Sequence, residues 1–121
     1  MVQVFIVEDH PVIRQSYALI LQREADITIC GEADSGEAAL LQIPHATPNI
    51  VLVDFSLPGM NGLEFVQHLH KIHPTLATIM ISGHREETFI AEILAAGATH
   101  YIVKEQAPQS LLPAIRQIMR T

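Results

Sequence analysis

The chain has 121 residues, which bounds it to about one domain with one real core. Hydrophobic residues make up 49% but aromatics only 5%, so the core is expected to be built of Ile, Leu, Val and Ala, a balance that suits parallel strands covered by helices on both faces. A net charge of −6 with seven Lys plus Arg argues against nucleic-acid binding by this segment alone, and no apolar run approaches the ~20 residues of a membrane span.

The single cysteine, Cys30, cannot form an internal disulfide; it fits a reducing, cytoplasmic setting and lies in an apolar stretch that predicts burial. No basic leader precedes the first strand pattern, and the last helical pattern runs up to Arg120-Thr121. One domain over residues 1–121, the N-terminal part of a longer protein, is the expectation.

Strand and helix signals alternate five times. Val2 to Val7 reads as a strand, and Pro11 to Arg23 carries Val12, Ile13, Ala18, Leu19 and Leu21 at near-helical spacing. Ile27 to Ala33 is a second strand; Ser35 then caps a helix from Gly36 to Ile43 that Pro44 limits. Asn49 to Val53 is an apolar third strand stopping at Asp54, and the turn cluster at residues 58–62 leads into a helix bearing Leu63, Val66, Leu69 and Ile72. Ala77 to Ile81 is a fourth strand, and Glu86 to Ala96 a helix closed by Gly97, with Phe89, Ile90, Ile93 and Leu94 mostly in the core. Thr99 to Val103 is the fifth strand. The last helix either starts late, with Ser110 as its cap and Pro113 in its first turn, or is kinked by Pro113. This alternation predicts an α/β fold, a doubly wound five-stranded parallel sheet of flavodoxin-like order 2-1-3-4-5 with helices on both faces.

Polar residues follow four of the apolar runs: Glu8-Asp9, Asp54, Ser82 and Lys104. The carboxyl ends of parallel strands share one edge, where such sheets bind ligands, so three carboxylates, a hydroxyl and an ammonium are expected in one cleft. Acids there suit Mg²⁺, and a lysine beside a cation suits a phosphoryl group. Consecutive strand residues point to opposite sides, so Asp9 is expected to touch the ion directly and Glu8 through water. Asp54 is the natural nucleophile, able to form an aspartyl phosphate whose charge Mg²⁺, Lys104 and Ser82 would jointly satisfy.

The segments VEDHP at 7–11, VDFSLPGMNGLE at 53–64, ISG at 81–83 and GATHYIVKE at 97–105 together resemble the receiver domain of bacterial two-component response regulators, over the whole chain. The resemblance implies that Asp54 accepts a phosphoryl group from a sensor histidine kinase, and that Glu8, Asp9 and Asp54 hold Mg²⁺ with the backbone carbonyl of Ser56. It implies Ser82 as the switch hydroxyl, Lys104 as the phosphate-pairing lysine and Tyr101 as a rotating aromatic. Ser56 and His84 would lie beside the path of the water that removes the phosphoryl group. The DHP after Glu8 looks like the subfamily whose receivers precede a LuxR-type helix-turn-helix domain. DNA would then be bound through a C-terminal domain outside this chain, and phosphorylation would promote a homodimer. Such a domain is a signalling switch rather than an enzyme, assisting only its own phosphoryl transfer and autodephosphorylation. Two departures stand out: Glu8 where Asp is commoner, and Glu105 where many receivers carry a cis proline, so a trans Lys104–Glu105 peptide is expected.

Rival readings are weaker. A phosphatase of the haloacid-dehalogenase type wants an acid two residues after its nucleophile, where Ser56 stands; a flavin binder wants a Ser/Thr/Gly-rich phosphate loop after the first strand. A phosphate-independent interaction scaffold would not need Asp54 and Lys104. His68, His70 and His73 share a helix, yet 68 and 70 point to different faces, so solvated histidines are expected there rather than zinc ligands. His10 and His84 border the cleft or sit at loop edges.

Overall fold

A computed structural model describes residues 1–120. Strand β1 (Val2–Val7) leads to α1 (Pro11–Gln22), β2 (Ile27–Ala33), α2 (Gly36–Ala46), β3 (Ile50–Asp54), α3 (Gly62–Ile72), β4 (Ala77–Ser82), α4 (Glu87–Ala95), β5 (His100–Val103) and α5 (Ala107–Arg120). A short 3-10 turn over Lys104–Gln106 joins β5 to α5. The strands pair in parallel in the order β2-β1-β3-β4-β5, as the alternation predicts.

Period-two alternation sorts the strand side chains onto two cores. Val4, Ile6, Ile50, Leu52, Ile79, Ile81 and Ile102 pack beneath α1 and α5, against Tyr17, Leu21, Leu111 and Ile115. Phe5, Val7, Val51, Val53 and Met80 pack on the other side beneath α2, α3 and α4, against Ile43, Phe65, Leu69 and Ile93. Burial on both faces is why β3 reads as an unbroken apolar run.

Local chemistry sets the helix starts. The Ser35 side chain accepts the Ala38 N–H at 3.1 Å, and Asn61 and Glu64 form a reciprocal capping box at the start of α3. Gly62 is required there: a Cβ would lie 2.6 Å from the Phe55 Cα and 2.8 Å from the Asp54 carbonyl. The close approach holds α3 against the end of β3.

Several expectations are corrected. Pro44 does not end α2, which continues to Ala46 and closes on left-handed Thr47, because a proline in the last turn forfeits only one intrahelical bond. The last helix does not start late with Ser110 as its cap but at Ala107, and Pro113 lies within it on the exposed side. Cys30 is only half-buried, because β1 and β2 slip register there: Val4 pairs with Ile29 and Phe5 with Gly31, which leaves Cys30 as the unpaired residue of a bulge on an edge strand. Of the apolar set on α4 only Ile93 is buried; Phe89 and Ile90 are partly covered and Leu94 is exposed. All described peptide bonds are trans, including Lys104–Glu105.

Candidate functional site

β1 ends at Val7, so Glu8 and Asp9 lie beyond the strand and alternation no longer separates them. Register sets Val7 beside Val53 and Asp54 beside Ile81, which puts Glu8 level with Asp54 at the carboxyl edge. Both carboxylates are sealed from solvent, Glu8 at 0% and Asp54 at 2% exposure. From the end of β5, Lys104 brings its Nζ to 3.0 Å from Asp54 Oδ2 and 3.8 Å from Glu8 Oε1.

His10 closes the β1–α1 turn over this group. Its backbone N–H donates to Glu8 Oε2 at 3.1 Å, and its Nδ1 lies 3.2 Å from Glu8 Oε2 and 3.2 Å from Asp9 Oδ1. Beneath it, the Arg14 guanidinium donates to the Glu8 carbonyl at 2.6 Å while its Nε pairs with Glu32 at 3.2 Å. Sequence reasoning passed over Arg14. Its signal was spacing: one helical turn after His10 places it back over the strand end, and its N–H bonds the His10 carbonyl.

The electrostatics follow from burial. Loss of water pushes Glu8 up to about 7, helped by Asp54, which would accept a hydrogen bond from the protonated Glu8 carboxyl and repels its charged form, against the pull of the His10 N–H. Burial works against the Lys104 ammonium, yet the hydrogen bond and charge of Asp54, with the charges of Glu8 and Asp9, outweigh it and raise its pKa. Tyr17, on the buried face of α1, is raised by burial and then by the charges of Glu8 and Asp54, in keeping with carboxylates that face the α1/α5 side.

Glu8, Asp9, His10 and Asp54 each offer a ligand atom, all within 4.8 Å of one another. Glu8 Oε1 and Asp9 Oδ1 are buried and complete no hydrogen bond, although Lys104 Nζ lies 3.8 Å from the first and His10 Nδ1 3.2 Å from the second. Opposed ligands of an octahedral Mg²⁺ lie about 4 Å apart, so three hard carboxylates with two such oxygens suit this ion. An imidazole adds little for it. No comparable cluster joins His68, His70 and His73 among the described residues.

Ser82 occupies different surroundings. It follows Ile81 of the α1/α5 core, so alternation turns it to the α3/α4 side, together with Tyr101, whose strand partner is Met80. Its Oγ lies 2.8 Å from His84 Nδ1 and accepts the His84 N–H at 3.2 Å. The Tyr101 hydroxyl donates to the His84 carbonyl at 2.8 Å. The His84 ring stacks on Phe89 with centroids 4.2 Å apart, and Phe55 meets both rings edge-on. Ser56 is exposed, and its N–H donates to Asp54 Oδ1 at 3.3 Å; no carboxylate stands at that position.

This geometry agrees with known proteins. The family described as "Response regulator receiver domain" matches residues 4–116. The chain is 36% identical to the transcriptional activator protein ExaE of Pseudomonas putida, over 96% of this chain and 54% of that protein. It is 32% identical to the nitrate/nitrite response regulator protein NarL of Escherichia coli K12, over 94% of this chain and 53% of that one. The chain thus spans about half the length of these relatives. Among solved structures it is similar to a two-component response regulator of the LuxR family from Aurantimonas sp. SI85-9A1, with TM-score 0.92, 28% identity and coverage of 98% and 84%. It is also similar to the response regulator domain of Thermotoga maritima CheB, with TM-score 0.90, 27% identity and coverage of 100% and 98%. With this fold, an acid cluster and a lysine at the carboxyl edge of the sheet, and a family match over nearly its whole length, the chain belongs to the receiver domains of two-component response regulators.

Proposed function

We propose that this receiver takes a phosphoryl group on Asp54 from the phosphohistidine of a sensor kinase, and that the resulting strain on two loops is its output. One observation carries the reading: a buried Asp54 held 3.0 Å from Lys104, next to carboxylate oxygens of Glu8 and Asp9 that complete no hydrogen bond. An Asp54 carboxylate oxygen attacks phosphorus in line; the P–N bond breaks, and the departing imidazole nitrogen takes a proton. Glu8, Asp9, Asp54 and the Ser56 carbonyl would hold Mg²⁺, which when bound neutralises phosphoryl charge. Lys104 leaves its ion pair with Asp54 to meet a phosphoryl oxygen, and Ser82 donates its hydroxyl to another.

Movement of Ser82 toward Asp54 draws on the β4–α4 loop, to which Tyr101 is tied through His84. The face of α4, β5 and α5 then changes, and a weak homodimer forms. Ser56 and His84 lie beside the hydrolytic water's path and set the lifetime, so the domain assists its own dephosphorylation but is no enzyme toward other substrates. Relatives about twice as long, one of them named a transcriptional activator, support residues 1–121 as an N-terminal receiver whose output is DNA binding by a further domain. No described helix is long and apolar enough to cross a membrane, and a cytoplasmic location goes with the sensor-kinase reading.

Intact-mass analysis after incubation with a small phosphodonor and Mg²⁺ tests the chemistry. One phosphoryl group should add to the native chain and none to Asp54→Asn, and EDTA should prevent the gain. Undiminished labelling of the Asn variant would sink the proposal.

A further inference from the structure

We infer that His84 is a positioning residue that holds the Ser82 hydroxyl in reserve, so that the resting receiver must break the Ser82–His84 hydrogen bond before Ser82 can serve a phosphoryl group. The inference rests on the reading above, in which Ser82 contacts that group.

The argument is one of proton supply. A serine hydroxyl has one proton to give and two lone pairs to receive. Ser82 Oγ already accepts the His84 backbone N–H at 3.2 Å, in the local turn that a serine makes with the residue two places on. In this assignment the 2.8 Å contact is Ser82 Oγ giving its one proton to an unprotonated His84 Nδ1; an Nδ1–H would instead donate into the second lone pair of Oγ and leave that proton free. Phosphoryl oxygens only accept, so they require the same proton, and the two partners exclude each other.

The ring has two aromatic contacts. It stacks on Phe89 at 4.2 Å with 20° between planes and takes the edge of Phe55 at 5.4 Å, while the carbonyl of the same residue accepts from Tyr101 at 2.8 Å. One residue therefore engages the switch hydroxyl with its side chain and the switch aromatic with its backbone. Releasing Ser82 loosens the segment that Tyr101 also grips.

The test is titration of the 121-residue chain with beryllofluoride, a phosphoryl mimic, at fixed Mg²⁺, read by amide chemical shifts. His84→Phe keeps a flat ring on Phe89 but offers no acceptor. It should bind about threefold to tenfold more tightly than the native chain, the span of one net hydrogen bond. Ser82→Ala should bind more weakly than native, and adding His84→Phe to it should change nothing further. Native affinity in Ser82→Ala would overturn the role of Ser82 itself and the inference with it. A weakened Ser82→Ala combined with unchanged or weaker binding by His84→Phe would overturn the reserve alone, as would equal tightening in both backgrounds. Nitrogen-15 spectra of the native imidazole give a check that needs no variant. Nδ1 should be an unprotonated, hydrogen-bonded acceptor at rest and lose that bond when beryllofluoride is added; a proton on Nδ1 at rest would refute the assignment.

Discussion

The two halves of the carboxyl edge are built to different standards. On the β1–β3 side, Glu8 and Asp54 are sealed, gripped by Lys104, His10 and Arg14, and backed by an α3 whose first residue touches the end of β3. On the β4–β5 side, α4 buries only Ile93, His84 is exposed, and the loops are joined by hydrogen bonds and an exposed Arg85–Glu105 pair at 3.2 Å. The sheet's alternation enforces the split: Asp54 and Ser82 close adjacent strands but face opposite layers. A rigid half can hold charge in a fixed geometry, whereas a half with little buried area can move at small cost. Under the proposed function, chemistry falls to the well-buried half and response to the thinly covered one.

The sharpest way to break this contrast is to add one methyl group to each half. Gly62→Ala drives a Cβ against backbone at 2.6 and 2.8 Å, neither of which can rotate away, and should cost about 3 kcal/mol in urea unfolding. Gly83→Ala meets nothing closer than Glu105 Oε1 at 4.0 Å and should stay within about 0.5 kcal/mol of native. Equal costs would refute the difference in stiffness.

A second test uses pH in the absence of divalent cations. Glu8 is an acid whose folded-state pKa, about 7, lies above the ordinary carboxylate range. The folded state therefore binds more protons than the unfolded state in that window, and stability should fall as pH rises from the ordinary carboxylate range through 7. Glu8→Gln removes the charge and keeps the shape. It should flatten this dependence and be more stable than native at pH 8 by on the order of 1–3 kcal/mol, while binding Mg²⁺ more weakly. In the native chain, Mg²⁺ affinity should drop as pH falls below 7, because the ion must displace the Glu8 proton. A native stability curve that rises across this window would count against the burial argument.

The smallest effects belong to the thinly covered half. Tyr101→Phe loses the bond to the His84 carbonyl and should cost about 1 kcal/mol, with faster hydrogen exchange confined to the β4–α4 segment. Arg85→Gln removes an exposed ion pair and should change stability by less than about 0.5 kcal/mol. Exchange that quickened equally around Glu8 would mean that the two halves open as one unit.

The sequence by itself determined the sheet. Apolar runs bounded by turn residues mark all five strands, and their alternation with helical spacing predicts right-handed crossovers and favours the order 2-1-3-4-5, which the strand pairing shows. It also determined which side chains reach the carboxyl edge, because Asp54, Ser82 and Lys104 each close or follow a run. Helix ends were less legible: Pro44 and Pro113 carry a breaking signal, but an exposed proline can stay in a helix where its neighbours bury Ile43 or Leu111 and Ile115. Cys30 and α4 misled for a related reason, since composition gives apolarity but not the bulge on β2 or the thin cover over β5. Only the tertiary structure decided who partners whom at the edge. Lys104 meets Asp54 across 50 positions of chain, and Ser82 turns from the carboxylates to His84. Those contacts depend on register and on which face each residue presents, quantities that pairing between strands fixes and that no local run of residues contains.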